Sequence, residues 1–220
     1  MAITRVGVHT GTNTTFASSV TTSSWTSTTG NLLIAAAQAD TVAQNGITIS
    51  DSKGNSWSRV ISTALAATFD LEIWVAQITT GGASHTVTAT DNGGGVDSLI
   101  IVEEWSGQAT SSVTDRSAGA TGTSSTALNS GATAATTQAN EAVICAGVCS
   151  LTTLSAGSGY TNLTTVASPF SRLGFESKTV SATGAQTGTM TAGASASWVC
   201  QVATFKELLV ASNSNMFLID

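Results

Sequence analysis

The chain has 220 residues and a formal net charge of −6, and only 9% of its residues are charged, against about 25% in ordinary globular proteins. Its seven basic residues are scattered singly, which argues against binding to nucleic acid or anionic lipid, because both need clustered Lys and Arg. No apolar stretch approaches the length of a transmembrane helix, so we expect no membrane span.

The chain begins with an alternating stretch, residues 2–9, that predicts a half-buried β-strand. A secretory signal would instead have a basic stretch followed by an apolar core. We therefore expect synthesis in the cytoplasm of a host cell. A further strand is expected near residues 15–22.

Short apolar or alternating segments, separated by Gly-rich turns, continue to residue 206. Frequent Thr favours strands over helices, because β-branched side chains fit a pleated surface. The remaining predicted strands lie near 31–39, 46–50, 56–64, 69–78, 84–90, 96–106, 141–149, 159–166, 171–181, 187–192 and 196–206. Segments 32–37, 98–102 and 142–148 are apolar on both faces, which predicts central strands. This pattern predicts an all-β fold, an antiparallel β-sandwich of jelly-roll-like form.

The strands recur as two internal sequence repeats. The matching segments are 29–36 with 138–145, 54–57 with 157–160, 69–78 with 170–180, 82–90 with 184–192, and 98–105 with 196–205. Chance does not account for five matches in the same order. The sequence therefore predicts one β-sandwich over 1–206, with repeat one at about 28–106 and repeat two at about 137–206.

Two arrangements fit this repeat: two small sandwiches in a row, or the two halves of one sandwich. The connecting residues 107–139 contain no Pro and no run of charges that would indicate a hinge. Each copy alone also has few large apolar residues for an independent core. We favour a single sandwich.

Residues suited to catalysis are few. The chain has two histidines, His9 and His85, and no Ser in a G-x-S-x-G nucleophile motif. Glu103 and Glu104 are adjacent in a strand, so their side chains point to opposite faces and cannot act as an acid–base pair. The sequence predicts no catalytic residue and no enzymatic activity.

Metal and disulfide signals are also weak. Segments 51–55 and 91–95 hold one Asp each, whereas a calcium loop needs several carboxylates, so we interpret both as turns. Cys145, Cys149 and Cys200 have no zinc-motif spacing. We expect buried thiols and no metal or cofactor, and a bridge from Cys200 to either other cysteine stays open.

Aromatic residues raise carbohydrate binding as an alternative function. The side chains that could stack on sugar rings are Trp25, Trp57, Trp74, Trp105, Trp198 and Tyr160. However, Trp57 matches Tyr160 and Trp105 matches Phe205 between the repeats. Matching aromatics are expected to fill matching core positions.

The residues after 206 form a C-terminal arm, 207–220, without a counterpart in the first repeat. Two apolar patches flank a Ser-Asn-Ser-Asn spacer, and the arm is too short to cross a bilayer. We expect it either to add an edge strand to its own sandwich or to dock on a partner. The residues expected to contact a partner are Leu208, Leu209, Val210, Met216, Phe217, Leu218 and Ile219.

These motifs together resemble a group of duplicated β-sandwich proteins encoded by tailed bacteriophages and bacteria. The resemblance covers about residues 28–206. It rests on GNLLIAA at 30–36, GNSW at 54–57, GASHTVT at 82–88, EEWSG at 103–107 and WVCQVATFK at 198–206.

The resemblance implies a virion structural protein, most simply a capsid decoration (cement) protein or a head or tail accessory subunit. Related bacterial modules are surface or secreted appendages. The implied partners are copies of this chain and the major capsid protein or another virion protein. The alternative is a β-sandwich that binds a carbohydrate or a host receptor.

Overall fold

A computed structural model describes residues 2–13, 17–40, 46–66, 68–93, 95 and 97–209. Every regular element in these residues is a β-strand, and all their pairings are antiparallel. The described part contains no helix that could cross a membrane. The prediction of an all-β, antiparallel fold is confirmed.

Sixteen strands follow one another along the described chain. They are β1 (Thr4–Thr12), β2 (Ser19–Thr21), β3 (Trp25–Ser27), β4 (Leu32–Ala39), β5 (Ile47–Asp51), β6 (Trp57–Leu65), β7 (Phe69–Gln77), β8 (Gly82–His85), β9 (Val87–Asp91), β10 (Ser98–Ser106), β11 (Thr114–Ala132), β12 (Asn140–Ser150), β13 (Leu154–Ala156), β14 (Thr161–Ala167), β15 (Ser171–Ser181) and β16 (Thr187–Lys206).

Two large sheets contain most of these strands. The first large sheet has the order β1-β10-β4-β7-β6. The second has the order β11-β16-β12-β15-β14, and β13 pairs with the first part of β16. A three-stranded sheet, β2-β9-β5, and a two-stranded sheet, β3-β8, complete the pairing.

Both large sheets contribute to one buried cluster, called here the central cluster. Leu32 and Ile34 of β4 lie in it together with Ile144 of β12, Phe175 of β15 and Phe205 of β16. Because both sheets supply its side chains, the two large sheets pack against each other through this cluster.

Two flanking clusters lie on the outer faces of the large sheets. Leu33 of β4 packs with Val87 of β9 in the first flanking cluster, and Val143 of β12 packs with Met190 of β16 in the second. Alternate residues of β4 and β12 therefore face different clusters, which explains why segments 32–37 and 142–148 are buried throughout. Segment 98–102 of β10 is also fully buried, so the prediction of central strands is confirmed.

The sequence prediction missed β11 in the stretch interpreted as a connection. This strand pairs with β16 and consists mainly of Thr, Ser, Gly and Ala, with few buried positions. A sheet edge of this kind has no strong apolar alternation, so its sequence looks like a loop. The short strands β3 and β13 were missed too, and β16 is one strand where two were predicted. The strand predicted near 15–22 is β2, and residues 14–16 lie outside the described chain.

Candidate functional site

Glu103 and Arg5 form an ion pair at the margin between the two large sheets. Arg5 Nε lies 2.5 Å from Glu103 Oε1, and Trp105 Nε1 donates to the other carboxylate oxygen at 2.9 Å. Burial raises the pKa of Glu103, and the nearby Arg5 opposes that rise. The carboxylate is fully buried while Arg5 reaches the surface.

Glu104 points to the opposite face of the same strand and accepts hydrogen bonds from a different set of residues. Its carboxylate accepts hydrogen bonds from Trp25 Nε1 at 3.0 Å, from the Thr28 amide at 3.0 Å and from Asn31 Nδ2 at 2.7 Å. The two adjacent glutamates therefore hold different parts of the fold, in keeping with their predicted separation.

Trp25 lies between the two histidines. Its ring centroid is 3.9 Å from that of His9 and 4.7 Å from that of His85, with interplanar angles of 7° and 9°. Burial lowers the pKa of both imidazoles. The lowered pKa favours neutral rings, which suit close stacking on an indole.

His85 also contacts a hydroxyl and a carboxylate that the sequence analysis did not connect with it. Its Nδ1 lies 2.6 Å from Ser27 Oγ, and its Nε2 lies 3.5 Å from Asp51 Oδ1. The three residue types are those of a catalytic triad, but here all three side chains are buried. The three side chains are therefore packed together inside the fold as a polar cluster.

Asp51 closes the turn that leads into β6. Its Oδ1 accepts from the amides of Lys53 at 2.8 Å and Asn55 at 3.2 Å, and its Oδ2 accepts from Trp57 Nε1 at 2.9 Å. Burial would raise the pKa of Asp51, but the hydrogen bonds from Trp57 and the amides outweigh burial and lower it. This aspartate therefore acts as a turn former.

Asn55 connects the same turn to Thr79 and Thr80, which follow the end of β7. Its Oδ1 accepts from the Thr79 amide at 2.9 Å and the Thr80 amide at 3.0 Å, and its Nδ2 donates to the Thr80 carbonyl at 3.2 Å. The asparagine of the GNSW motif at 54–57 thus has a structural reason, since its amide side chain provides both the acceptor and the donor used here.

The aromatic side chains divide into two groups. Trp105, Trp198 and Tyr160 are buried, whereas Trp25, Trp57 and Trp74 keep part of their surface exposed. Trp74 Nε1 donates to Glu72 Oε2 at 2.6 Å, and Arg59 Nη1 lies 3.0 Å from Glu72 Oε1. A polar pair beside a partly exposed indole therefore lies on the outer face of the first large sheet.

A groove of about 320 Å³ opens between β1 and β14, where the margins of the two large sheets meet. Its lining includes Thr4, Arg5, Trp105, Asn162, Ser177 and Lys178. An adjoining hollow of about 280 Å³ shares Ile3 and Thr179 with it and reaches Glu207. Sequence reasoning could not find this groove, because its walls come from strands that are distant along the chain.

Two of the predicted partner-binding residues are described. Leu208 is 37% exposed and Leu209 is 71% exposed, and the Leu208 amide donates to the Gly107 carbonyl at 2.9 Å. The other predicted partner-binding residues, Val210, Met216, Phe217, Leu218 and Ile219, lie outside the described residues.

All three cysteines are buried and free. The sulfurs of Cys145 and Cys200 lie 3.8 Å apart, a thiol–thiol hydrogen bond rather than a disulfide, and Cys149 packs in the same flanking cluster. Burial raises the pKa of the Cys149 thiol to about 11, which keeps it protonated and unreactive.

Asp91 forms a turn like that of Asp51. Its Oδ1 accepts from the Gly93 amide at 2.7 Å, which is the hydrogen bond of an Asx turn. Within the described ranges, no three His, Cys, Asp or Glu side chains are grouped so that they could hold a metal ion.

Comparisons with protein-family models, with curated proteins and with solved structures find no match to this chain.

Proposed function

We propose that this protein is a structural subunit of a bacteriophage virion, a capsid decoration (cement) protein or a head or tail accessory subunit. One observation carries the structural role: the side chains suited to chemistry bind one another inside the fold. His85, Glu103 and Glu104 each lie in a closed network with Trp, Ser or Arg partners. The virion assignment itself rests on the sequence resemblance.

The strand orders support a duplicated architecture. Matching β1, β10, β4, β7 and β6 with β11, β16, β12, β15 and β14 reproduces the same order in both large sheets. Irregularities also recur: β1 and β11 both lose register near their first residues, and so do β6 and β14. We infer a jelly-roll-like β-sandwich made of two repeats whose large sheets form its central pair.

The aromatic positions agree with this inference. Trp105 and Phe205 both lie in the central cluster, while Trp57 packs on the first flanking cluster and Tyr160 lies in the second. These surroundings support the match between the two repeats, although Trp57 is partly exposed and Tyr160 is buried.

One part of the sequence alignment needs correction. Aligning 29–36 with 138–145 sets Leu33 opposite Ala142, yet Leu33 faces the first flanking cluster and Ala142 faces the central cluster. Leu32 is the residue that shares the central cluster with Ala142. The alignment was wrong by one residue, which moves every side chain of a strand to the other face.

The surface composition fits assembly with other copies. The chain is 9% charged, and β11 exposes Thr, Ser and Ala along its edge. Cores of protein interfaces are depleted in Lys, Glu and Asp, so a charge-poor surface can be covered at little desolvation cost. We propose a homo-oligomer that binds the major capsid protein or another virion protein and is located in the virion.

The test is to fractionate particles from cells that express the gene and to detect this chain with an antibody. A decoration subunit should sediment with the capsids in a copy number that scales with the capsid lattice. Recovery of the chain only in particle-free fractions would overturn the virion proposal.

Carbohydrate or host-receptor binding is the second candidate, supported by the Arg59–Glu72 pair beside Trp74. The guanidinium lies 5.9 Å from the indole ring centre, and both side chains retain exposed surface. A partly exposed indole with flanking hydrogen-bond groups is suited to a sugar ring. On a glycan array, Trp74→Ala should abolish any signal while Phe170→Ala, which removes an exposed aromatic elsewhere, preserves it. Equal signals from both variants would exclude this face.

A further inference from the structure

We propose that Lys206 and Asp115 join in an intramolecular amide bond, with Glu141 as the group that carries the proton. The three residues lie on neighbouring strands, Asp115 on β11, Lys206 on β16 and Glu141 on β12. Strand β16 is the middle one of the three, and Lys206 is directly opposite Glu141 in the pairing with β12. This inference is independent of the virion assignment, because it rests on these side chains alone.

The two groups to be joined are already close and enclosed. Lys206 Nζ lies 3.8 Å from Asp115 Oδ1, and the two side chains are 23% and 3% exposed. Nζ also donates to the Ser112 carbonyl at 3.3 Å, which keeps the amine near the start of β11. Groups held with their reacting atoms roughly 3 to 3.5 Å apart behave as if at very high concentration. Only a small movement of the lysine side chain therefore separates this pair from a reactive geometry.

Thr137 fixes the Asp115 carboxyl through two hydrogen bonds. Its amide donates to Oδ2 at 2.5 Å, and its hydroxyl donates to Oδ1 at 2.8 Å. Burial would raise the pKa of Asp115, but the bonds from Thr137, together with Glu141 and Lys206, outweigh burial and lower it. The resting state is therefore an ion pair, in which the ammonium group cannot attack. A third group must take up a proton before the amide can form.

Glu141 is suited to move that proton. Its side chain is fully buried, and burial raises the pKa of its carboxyl to about 7. The Thr204 hydroxyl opposes this rise, whereas the neighbouring Asp115 adds to it. A carboxyl with a pKa near 7 both accepts and donates a proton readily at neutral pH. A positioned group of this kind accelerates a reaction by about 100-fold or more.

The reaction balances without any further reactant. The Lys206 ammonium passes a proton through Glu141 to Oδ1 of Asp115, and the neutral Nζ then attacks Cγ of Asp115. The negative charge that develops on Oδ2 is stabilised by the Thr137 amide. Protonated Glu141 donates to the Oδ1 hydroxyl, which leaves as water, and regains a proton from Nζ. The Nζ–Cγ bond forms, the Cγ–Oδ1 bond breaks and one water is released.

Mass spectrometry of the full chain tests the proposal. After incubation at pH 7 the wild type should lose the mass of one water, and trypsin should release a branched peptide that joins Asp115 to Lys206. Cleavage after Lys206 should disappear, because trypsin needs a free lysine side chain. A wild-type chain that keeps its full mass and is cleaved after Lys206 would overturn the proposal.

Two glutamate variants separate proton transfer from burial. Glu141→Gln should slow the loss of water by about 100-fold or more, since an amide side chain cannot carry the proton. Glu176→Gln is the matched control and should react at the wild-type rate. Glu176 is also buried with a pKa raised to about 7, but its carboxylate faces the Gly157 amide. Circular dichroism checks that each variant is folded. Equal rates in all three chains would remove Glu141 from the reaction and overturn the proposal as stated.

Substitutions at the two joined residues give distinct masses. Asp115→Asn should lose ammonia in place of water, because the same attack then expels the amide nitrogen. Lys206→Arg has no primary amine at this position and should keep its full mass, so it also supplies an unbonded background in which the titration of Glu141 is measured by itself. Loss of water from the Lys206→Arg chain would assign the mass change to another site and contradict the proposed bond.

Discussion

Two buried glutamates in the second large sheet make stability depend on pH. Both oxygens of Glu176 face the Gly157 amide, at 3.0 and 3.3 Å, and Glu141 is equally buried. Burial raises the pKa of each carboxyl from 4.5 to about 7. The folded chain therefore retains protons that the unfolded chain releases.

We predict that Glu141→Gln/Glu176→Gln is more stable than the wild type at pH 8 and equal to it below pH 4.5. Above the unfolded pKa of 4.5 the unfolded wild type loses these protons first, so wild-type stability falls as pH rises to about 7. The glutamine side chains of the variant cannot titrate, so the variant does not undergo this loss, which is on the order of 3 kcal/mol for each group.

Urea unfolding of both proteins at several pH values measures this difference. Subtracting the wild-type stability from that of the variant cancels the contribution of the histidines. Their lowered pKa values make stability rise with pH up to about 6.5 in both proteins. Parallel stability curves for variant and wild type would contradict the prediction.

The pairing of β11 with β16 depends on a glycine under an indole. Gly122 is opposite Trp198 in the register, and a Cβ at Gly122 would lie 2.8 Å from the indole Nε1. The ring occupies the space that any side chain would need. A glycine weakens a strand in general, yet here it makes room for an aromatic cross-strand contact.

We expect Gly122→Ala to lower the free energy of unfolding by about 1 to 3 kcal/mol, because the indole must move out of its packed position. Gly184→Ala is the control, since nothing lies within 4 Å of the added Cβ, and its effect should stay within about 0.5 kcal/mol. Urea midpoints followed by tryptophan fluorescence compare the two. A loss of equal size in both variants would refute the role of the Trp198 contact.

At the scale of strands, sequence patterns located the central elements and missed the edges. The predicted strand 171–181 coincides with β15, and 141–149 differs from β12 by one residue at each end. β12 is apolar almost throughout because both of its faces are covered, and β15 alternates Leu173 and Phe175 with small or polar residues. The edge strand β11 consists mainly of Thr, Ser, Gly and Ala and has few buried positions, so its own residues carry little signal.

The central cluster takes large side chains from both large sheets, so either half alone would expose its part of the cluster. The first large sheet contributes six large aliphatic side chains to this cluster: Leu32, Ile34, Leu71, Ile73, Leu99 and Ile101. Burying them contributes on the order of 10 kcal/mol, which is comparable to the net stability of a typical domain. Polar contacts also cross between the sheets, for example Gln201 Nε2 to the Leu71 carbonyl at 2.7 Å.

We therefore predict that fragments 1–110 and 111–220 do not fold alone but form a native-like complex when expressed together. The cut lies between exposed residues of a connection and removes no strand. Circular dichroism and size-exclusion chromatography of each fragment and of the mixture measure the outcome. Cooperative unfolding of fragment 1–110 by itself would show that the halves are independent.

The sequence by itself determined the all-β class, the positions of the central strands and the turns at Asp51 and Asp91. These features are local, because side-chain alternation and turn chemistry act over a few residues. Tertiary structure alone decided which face each strand residue takes, the enclosure of Ser27 beside His85, and the open groove. Those features depend on the register between strands that are far apart in the chain. A shift of one residue in that register would move every side chain of the strand to the opposite face of the sheet.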